Sequence, residues 1–229
     1  MRTPNKDRLR EMQLAFVGKL MSGLSHESKN HLAIIRELNG LIEDLLMLEE
    51  PGQSANSERF KKNIAGIDDR IKLAAEMCRY LSSFSHRMDQ PLSSFSVNDI
   101  LQEEIYLVHR FASQKQVHLI SSLEEDLPPI YNNPSLLQFT VFCIVWPALE
   151  SLVKDSRISI AAVRQDDAAK IIIHLAGQAK KPEDASPWHE MLPEALQILA
   201  AELSRTIDQD GNQQVTVTIS SVTDRHNDR

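Results

Sequence analysis

The stretch that decides the fold reads Leu24-Ser25-His26-Glu27-Ser28-Lys29-Asn30. It lies inside a segment, residues 7 to 49, that contains no proline and carries apolar residues at helical spacing. These apolar positions are Phe16, Leu20, Leu24, Ile35, Leu38, Ile42 and Leu45. The sequence therefore predicts one long amphipathic helix that carries the quoted stretch near its start.

A second helix is predicted over residues 57 to 88, after a loop from Glu50 to Asn56 that Pro51 and Gly52 mark as a break. Its apolar stripe consists of Phe60, Ile64, Ile67, Ile71, Met77, Leu81 and Phe84. Two long helices joined by a short loop form an antiparallel hairpin. One hairpin buries two apolar stripes poorly, so we expect it to pair with a second copy into a dimeric four-helix bundle.

The candidate functional residues are His26, Glu27 and Asn30. At about 100° per residue, His26 falls roughly 140° from the centre of the apolar stripe, so it is expected to face solvent. Glu27 can orient or deprotonate a ring nitrogen of His26, and Asn30 lies one helical turn further on. An exposed histidine beside a glutamate is common on helices and usually idle, so the wider sequence has to decide its role. His31 lies near the middle of the apolar face and is expected to be a core histidine with a hydrogen-bond partner.

The second half of the chain alternates helices and strands. Ser96 and Asn133 are expected to cap helices that run to about residues 116 and 153, the second with Pro134 at its first position. A further helix is predicted from Pro193 to about Asp208. Strands are predicted at residues 117–123, 157–163, 170–175 and 215–221. This order predicts an α/β sandwich with helices on one face of a mixed sheet, and α+β as the class of the whole chain.

The quoted stretch resembles the phospho-acceptor box of two-component histidine kinases, which reads Ser-His-Glu, a few variable residues, Asn or Thr, Pro, Leu. This chain matches it except at the proline, where it has His31. The resemblance implies that His26 carries a phosphoryl group, and that Glu27 and Asn30 support removal of phosphate from the partner. That partner would be the receiver domain of a response regulator. The resemblance also implies two domains, a helical hairpin at residues 7–90 and an ATPase-like α/β domain at residues 95–223.

The ATPase-like domain departs from the family in its nucleotide-binding motifs. Pro147 stands at the position of the asparagine that helps to hold magnesium, and a proline side chain supplies no oxygen ligand. The segment from His174 to Lys180 has one glycine and no aspartate, and Pro182 to Trp188 has no glycine. Close approach of backbone to phosphates normally relies on glycine. We therefore expect neither a nucleotide cofactor nor a metal ion.

The predicted function is a histidine phosphotransfer protein, which passes phosphoryl groups between response-regulator aspartates through His26 and has phosphatase activity as a possible second property. Two alternatives remain open: a non-catalytic pseudokinase that binds a kinase or regulator, and a divergent ATP-dependent kinase. The net charge of −7 argues against nucleic acid as a partner. No apolar run approaches the roughly 20 residues of a membrane span, so a cytoplasmic protein is expected. The homodimer is expected from the two apolar stripes of the hairpin. Cys78 and Cys143 suggest neither a disulfide framework nor a zinc site.

Overall fold

The computed structural model describes residues 4–48, 56–89, 91–178 and 186–222. The predicted loop between the first two helices lies outside the described residues except for Asn56. Contacts within the chain define two units. One unit is Met21–Ser83, and the other combines Met1–Leu20 with Phe84–Arg229.

Two long helices make up the first part of the chain, as the apolar spacing predicts. Helix α1 spans Pro4–Met47 and helix α2 spans Ser57–Asp89. Within the Met21–Ser83 unit the helices approach closely at Gly66, where an added Cβ would lie 3.0 Å from Leu38 Cδ1. A larger residue at position 66 would therefore press on the Leu38 side chain.

The Phe84–Arg229 part contains a five-stranded mixed sheet, which confirms the predicted α/β layout. Its strands lie in the order β2-β4-β5-β7-β6, in which β2 and β4 are parallel and every other pair is antiparallel. Their bounds are β2 His118–Leu123, β4 Arg157–Gln165, β5 Ala168–Ala176, β6 Glu202–Ile207 and β7 Gln213–Ser220. Two shorter strands, β1 Ser93–Phe95 and β3 Ile130–Asn132, pair with each other.

In the described residues three α-helices accompany the sheet: α3 Val97–Lys115, α4 Pro134–Ser151 and α5 Leu192–Leu199. In β5 buried residues alternate with half-buried ones along the whole strand, so one sheet face forms the core. Every residue of α4 is buried except Ser135 and Glu150. A helix that is buried on all sides is the centre of a core rather than a surface element.

Both predicted helix caps are confirmed. Ser96 has an extended backbone, and its hydroxyl accepts a hydrogen bond from the backbone N–H of Asp99 at 3.3 Å. The Asn133 side chain accepts one from the N–H of Leu136 at 2.9 Å, ahead of Pro134 at the helix start. Each cap satisfies a backbone donor that has no partner inside its helix.

The prediction of a helix from Pro193 to Asp208 is wrong in its second half. Helix α5 ends at Leu199, and Ala200 takes a left-handed conformation with φ 49°. Residues 202–207 then form β6, which pairs antiparallel with β7. Backbone hydrogen bonds to β7 hold residues 202–207 as a strand. Such bonds to another segment of the chain cannot be predicted from a local apolar pattern. Strands β1 and β3 were not predicted, because three residues are too few to show a period.

None of the helices in the described ranges is both long enough and apolar enough to span a lipid bilayer.

Candidate functional site

His26 and Asn30 lie on the exposed side of α1. Both side chains are exposed, as are Ser25 and Lys29. Four residues advance a helix by 400°, so His26 and Asn30 are separated by only about 40° around its axis. The two residues therefore share one accessible strip of the helix, where another protein can reach them.

Glu27 lies between this strip and the buried face of the helix. It is half-buried, and its position is about 100° around the axis from His26. On the other side of Glu27 come the buried residues His31 and Leu24. A flexible carboxylate at this border can turn toward the exposed imidazole or toward the core.

His31 is only 7% exposed, so its predicted burial on the apolar face is confirmed. The prediction that it has a hydrogen-bond partner is wrong for the part of the chain that the structure describes. Its Nδ1 atom is buried and accepts or donates no hydrogen bond there. A buried polar atom without a partner costs about 1–3 kcal/mol, so this position requires an explanation beyond packing.

Helix α4, which carries Pro147, packs against aromatic side chains. Phe16 of α1 lies against Phe139 and Phe142, with ring centroids 5.8 and 4.6 Å apart. Trp188 approaches the same two rings at 6.4 and 5.0 Å, and Phe84 of α2 contacts Phe16 at 5.6 Å. We call these five residues the aromatic cluster. Residues 16 and 84 are far apart in sequence from α4, which explains why sequence reasoning missed the cluster.

Pro147 is buried within α4, and the helix continues through it to Ser151. Trp146, the residue before Pro147, stacks on Phe142 with ring centroids 5.2 Å apart. The Lys19 ammonium nitrogen lies 4.8 Å from the centroid of the Trp146 ring. The recorded neighbours of Trp146 are thus an aromatic ring and a cation. The Pro147 side chain itself has no oxygen of the kind that magnesium requires.

A second polar group, also missed from sequence, is buried where α3 meets α4. Glu103 forms an ion pair with Arg87 of α2, with Oε2 and Nη1 2.7 Å apart, and accepts a hydrogen bond from Gln138 Nε2 at 3.2 Å. Glu104 beside it is fully buried. Burial raises the pKa of Glu104 from 4.5 to about 8, with a smaller contribution from the neighbouring Glu103, while Gln138 opposes the change. The adjacent carboxyl groups therefore differ in their surroundings, since only Glu103 is paired with a cation.

No cluster of three or more His, Cys, Asp or Glu side chains that could hold a metal ion occurs within residues 4–48, 56–89, 91–178 and 186–222.

The chain is similar in sequence to a histidine kinase, and its fold is similar to that of a solved histidine kinase. The chain is similar to the signal transduction histidine-protein kinase AtoS of Escherichia coli strain K12, with 26% identity over 174 residues. The match covers 74% of this chain but only 27% of AtoS, so the chain spans about a quarter of that relative's length. No family model matches the chain.

Solved structures with a similar fold include full-length histidine kinase ShkA in complex with AMPPNP. It matches with a TM-score of 0.50 and 11% identity, over 87% of this chain and 46% of that chain. Histidine kinase ThkA in complex with the response regulator protein TrrA matches with a TM-score of 0.48 and 14% identity, over 95% of this chain and 65% of that chain. The predicted order of a helical region followed by an ATPase-like α/β domain is thereby confirmed.

Proposed function

We propose that this protein is a histidine phosphotransfer protein that relays phosphoryl groups between response-regulator aspartates through His26. Residues 7–90 would carry the phosphoryl group, and residues 95–223 would help to dock the receiver domains. The observation that carries the proposal is the accessible strip of α1, where His26 and Asn30 are both exposed and Glu27 borders them.

The transfer step requires a nucleophile and a hydrogen-bond acceptor for its ring, and His26 and Glu27 can supply them. The unprotonated ring nitrogen of His26 attacks the phosphorus of an aspartyl phosphate. A phosphorus–nitrogen bond forms, the bond to the carboxylate oxygen breaks, and the receiver's aspartate leaves as a carboxylate. The other ring nitrogen keeps its proton, and Glu27 can accept a hydrogen bond from it and offset the positive charge that develops on the ring. In the reverse direction, the aspartate of a second receiver attacks the same phosphorus.

Asn30 has a separate role in this proposal. Its amide would place a water molecule for attack on the receiver's phosphate, which removes the group as inorganic phosphate instead of transferring it. Because Asn30 is about 40° from His26 around the helix axis, one docked receiver could meet both side chains. Glu27 would support both reactions, since it follows His26 directly in the helix and borders the strip.

The proposed relay does not use ATP on this chain. Two features of α4 support this, namely the buried Pro147 and the aromatic cluster that packs around the same helix. Phe16 and Phe142 are nearly fully buried at 3% and 0% exposure, so their contact excludes solvent from this face of α4. A nucleotide that approached this face would have to displace rings that contribute to the core.

We also propose that the helices pair with those of a second copy. Several large apolar residues of the Met21–Ser83 unit are exposed, and they include Leu32, Leu41, Ile64, Ile71 and Leu73. Burial of one such side chain stabilises by about 1.5–3 kcal/mol, so pairing is expected to persist at micromolar concentration. Light scattering that gives a monomer mass at that concentration would refute the dimer.

The central experiment is transfer from a phosphorylated receiver. The protein is incubated with a receiver that carries ³²P on its aspartate, and the label on each chain is followed by gel autoradiography. The parent is expected to gain acid-labile label, and His26→Ala is expected to gain none while it keeps the dimer. His86→Ala is the matched control, because His86 is, like His26, an exposed histidine near a carboxylate. Its Nδ1 lies 3.9 Å from Asp89 Oδ2 in α2.

Two outcomes would favour the rival functions. If His26→Ala is labelled as well as the parent, the site assignment is wrong, and a pseudokinase that binds regulators without carrying phosphate becomes the better reading. If the isolated protein becomes labelled from radioactive ATP, or binds magnesium ATP at low-micromolar affinity by calorimetry, it is a divergent autokinase.

A further inference from the structure

His31 combines two properties that rarely occur together in a side chain of this kind. It is 7% exposed, and its Nδ1 atom makes no hydrogen bond to any residue that the structure describes. An apolar side chain of similar size would fill the same space without leaving a polar atom unpaired. Packing alone therefore does not account for a histidine at this position.

The helix geometry identifies the group that His31 can serve. Side chains in a helix lean toward its N-terminus, so the His31 ring lies over the preceding turn, which contains Glu27 and Ser28. Glu27 is four residues earlier and about 40° away around the axis, a spacing at which side chains touch. Around the axis, the exposed His26 is followed by the half-buried Glu27 and then by the buried His31. Position 27 thus lies between positions 26 and 31 around the axis, and no hydrogen bond joins Glu27 to His31 Nδ1 in the described part of the chain.

We propose that His31 is a positioning residue of the transfer site, whose buried imidazole, unpaired in this structure, binds the Glu27 carboxylate when that side chain turns toward it and so keeps Glu27 available to His26. This inference rests on the proposed phosphotransfer role of His26. It goes beyond that role because it assigns a function to the residue at the proline position of the histidine box.

The chemistry of the carboxylate permits this arrangement. A carboxylate has two oxygens with about four acceptor sites, so it can accept one N–H bond from His31 and another from His26. A bond from a buried donor to an ionised acceptor is about twice as strong as one between neutral groups. Glu27 is therefore a better partner for His31 than the Ser28 hydroxyl on the same turn. If one oxygen accepts the bond from His31, the second oxygen stays at the border of the buried face, where it can accept a bond from His26.

The test is a double-mutant cycle on the rate of phosphoryl transfer from a labelled receiver. His31→Leu removes the donor, His31→Gln keeps an N–H that can reach Glu27, and Glu27→Ala removes the acceptor. His31→Leu is expected to slow transfer about tenfold, which is the effect of losing one hydrogen bond to a charged group. His31→Gln should restore most of the rate. In the Glu27→Ala background, His31→Leu should have no further effect.

The possible results separate this inference from the function on which it rests. A parent protein that takes no label at His26 overturns the proposed function itself. A labelled parent with equal rates for His31→Leu overturns only the role of His31. Equal slowing in the Glu27→Ala background also overturns it, since a structural effect would act independently of Glu27. Thermal unfolding of each variant checks the fold, and His31→Met replaces His31→Leu if that variant does not fold.

Discussion

Replacing Glu104 by glutamine is expected to stabilise the protein at neutral pH. Glu104 is fully buried, and burial raises its pKa from 4.5 to about 8. Between these pH values the folded protein holds a proton that the unfolded chain has released. The free energy of unfolding therefore falls as pH rises through this window, and the loss is complete above pH 8. Glutamine has nearly the shape of the protonated acid and does not titrate.

The size of the effect follows from the distance between the two pKa values. A pH of 7 lies about 2.5 units above the ordinary pKa of 4.5, which we take for the unfolded chain, and below the raised pKa of the folded protein. Each unit corresponds to about 1.36 kcal/mol. Glu104→Gln should thus raise the free energy of unfolding by up to about 3 kcal/mol at pH 7. At pH 5 the same change should gain less than about 1 kcal/mol. The gain should level off above pH 8.

The assay is urea unfolding followed by circular dichroism at pH 5, 7 and 8.5. Glu103→Gln is the informative neighbour, since it breaks the ion pair with Arg87 and should destabilise by on the order of 3 kcal/mol. Glu125→Gln is the neutral control, because Glu125 is exposed. If Glu104→Gln and the parent have equal stability at pH 7, or if their difference does not grow from pH 5 to pH 8.5, the account of a protonated buried acid is refuted.

Three further changes test the core, a turn and a cap. Phe16→Ala removes a ring that contacts three others and is 3% exposed, and it should cost about 3–5 kcal/mol in urea unfolding. Gly177→Ala should lower the melting temperature by the equivalent of about 1–3 kcal/mol, because φ is +136° and a Cβ would overlap Ser156 Oγ; an unchanged melting temperature would contradict this. Asn133→Ala removes the cap of α4 and should cost about 1 kcal/mol, whereas Asn133→Ser should restore most of it.

The features that sequence predicts well are those with a local physical cause. The long helices follow from apolar spacing that persists over many turns, and both caps follow from single side chains that accept a nearby N–H. The exposure of His26 and the burial of His31 also follow from angles around one helix. Each of these needs no knowledge of what lies elsewhere in the chain.

The features that sequence misses depend on distant partners. β6 forms because β7 offers a ladder, although residues 202–207 follow a helix without a clear break. The ion pair of Arg87 with Glu103 joins α2 to α3, and nothing in either local pattern marks it. Likewise, Phe16 was predicted only as part of an apolar stripe, whereas the structure shows which rings it meets.

Helix α1 is shared between the two units, since its residues up to Leu20 belong with Phe84–Arg229. This sharing limits how the chain could be shortened or recombined. Phe16 packs with Phe139 and Phe142 of α4, so the first turns of the chain complete a core to which α4 contributes from more than a hundred residues later. A fragment that began after α2 would lack both Phe16 and Phe84 and expose the remaining rings to water. A chimera joined near residue 90 would therefore separate Phe16 and its neighbour Phe84 from the α4 rings that Phe16 contacts. The two parts of the chain should be exchanged together.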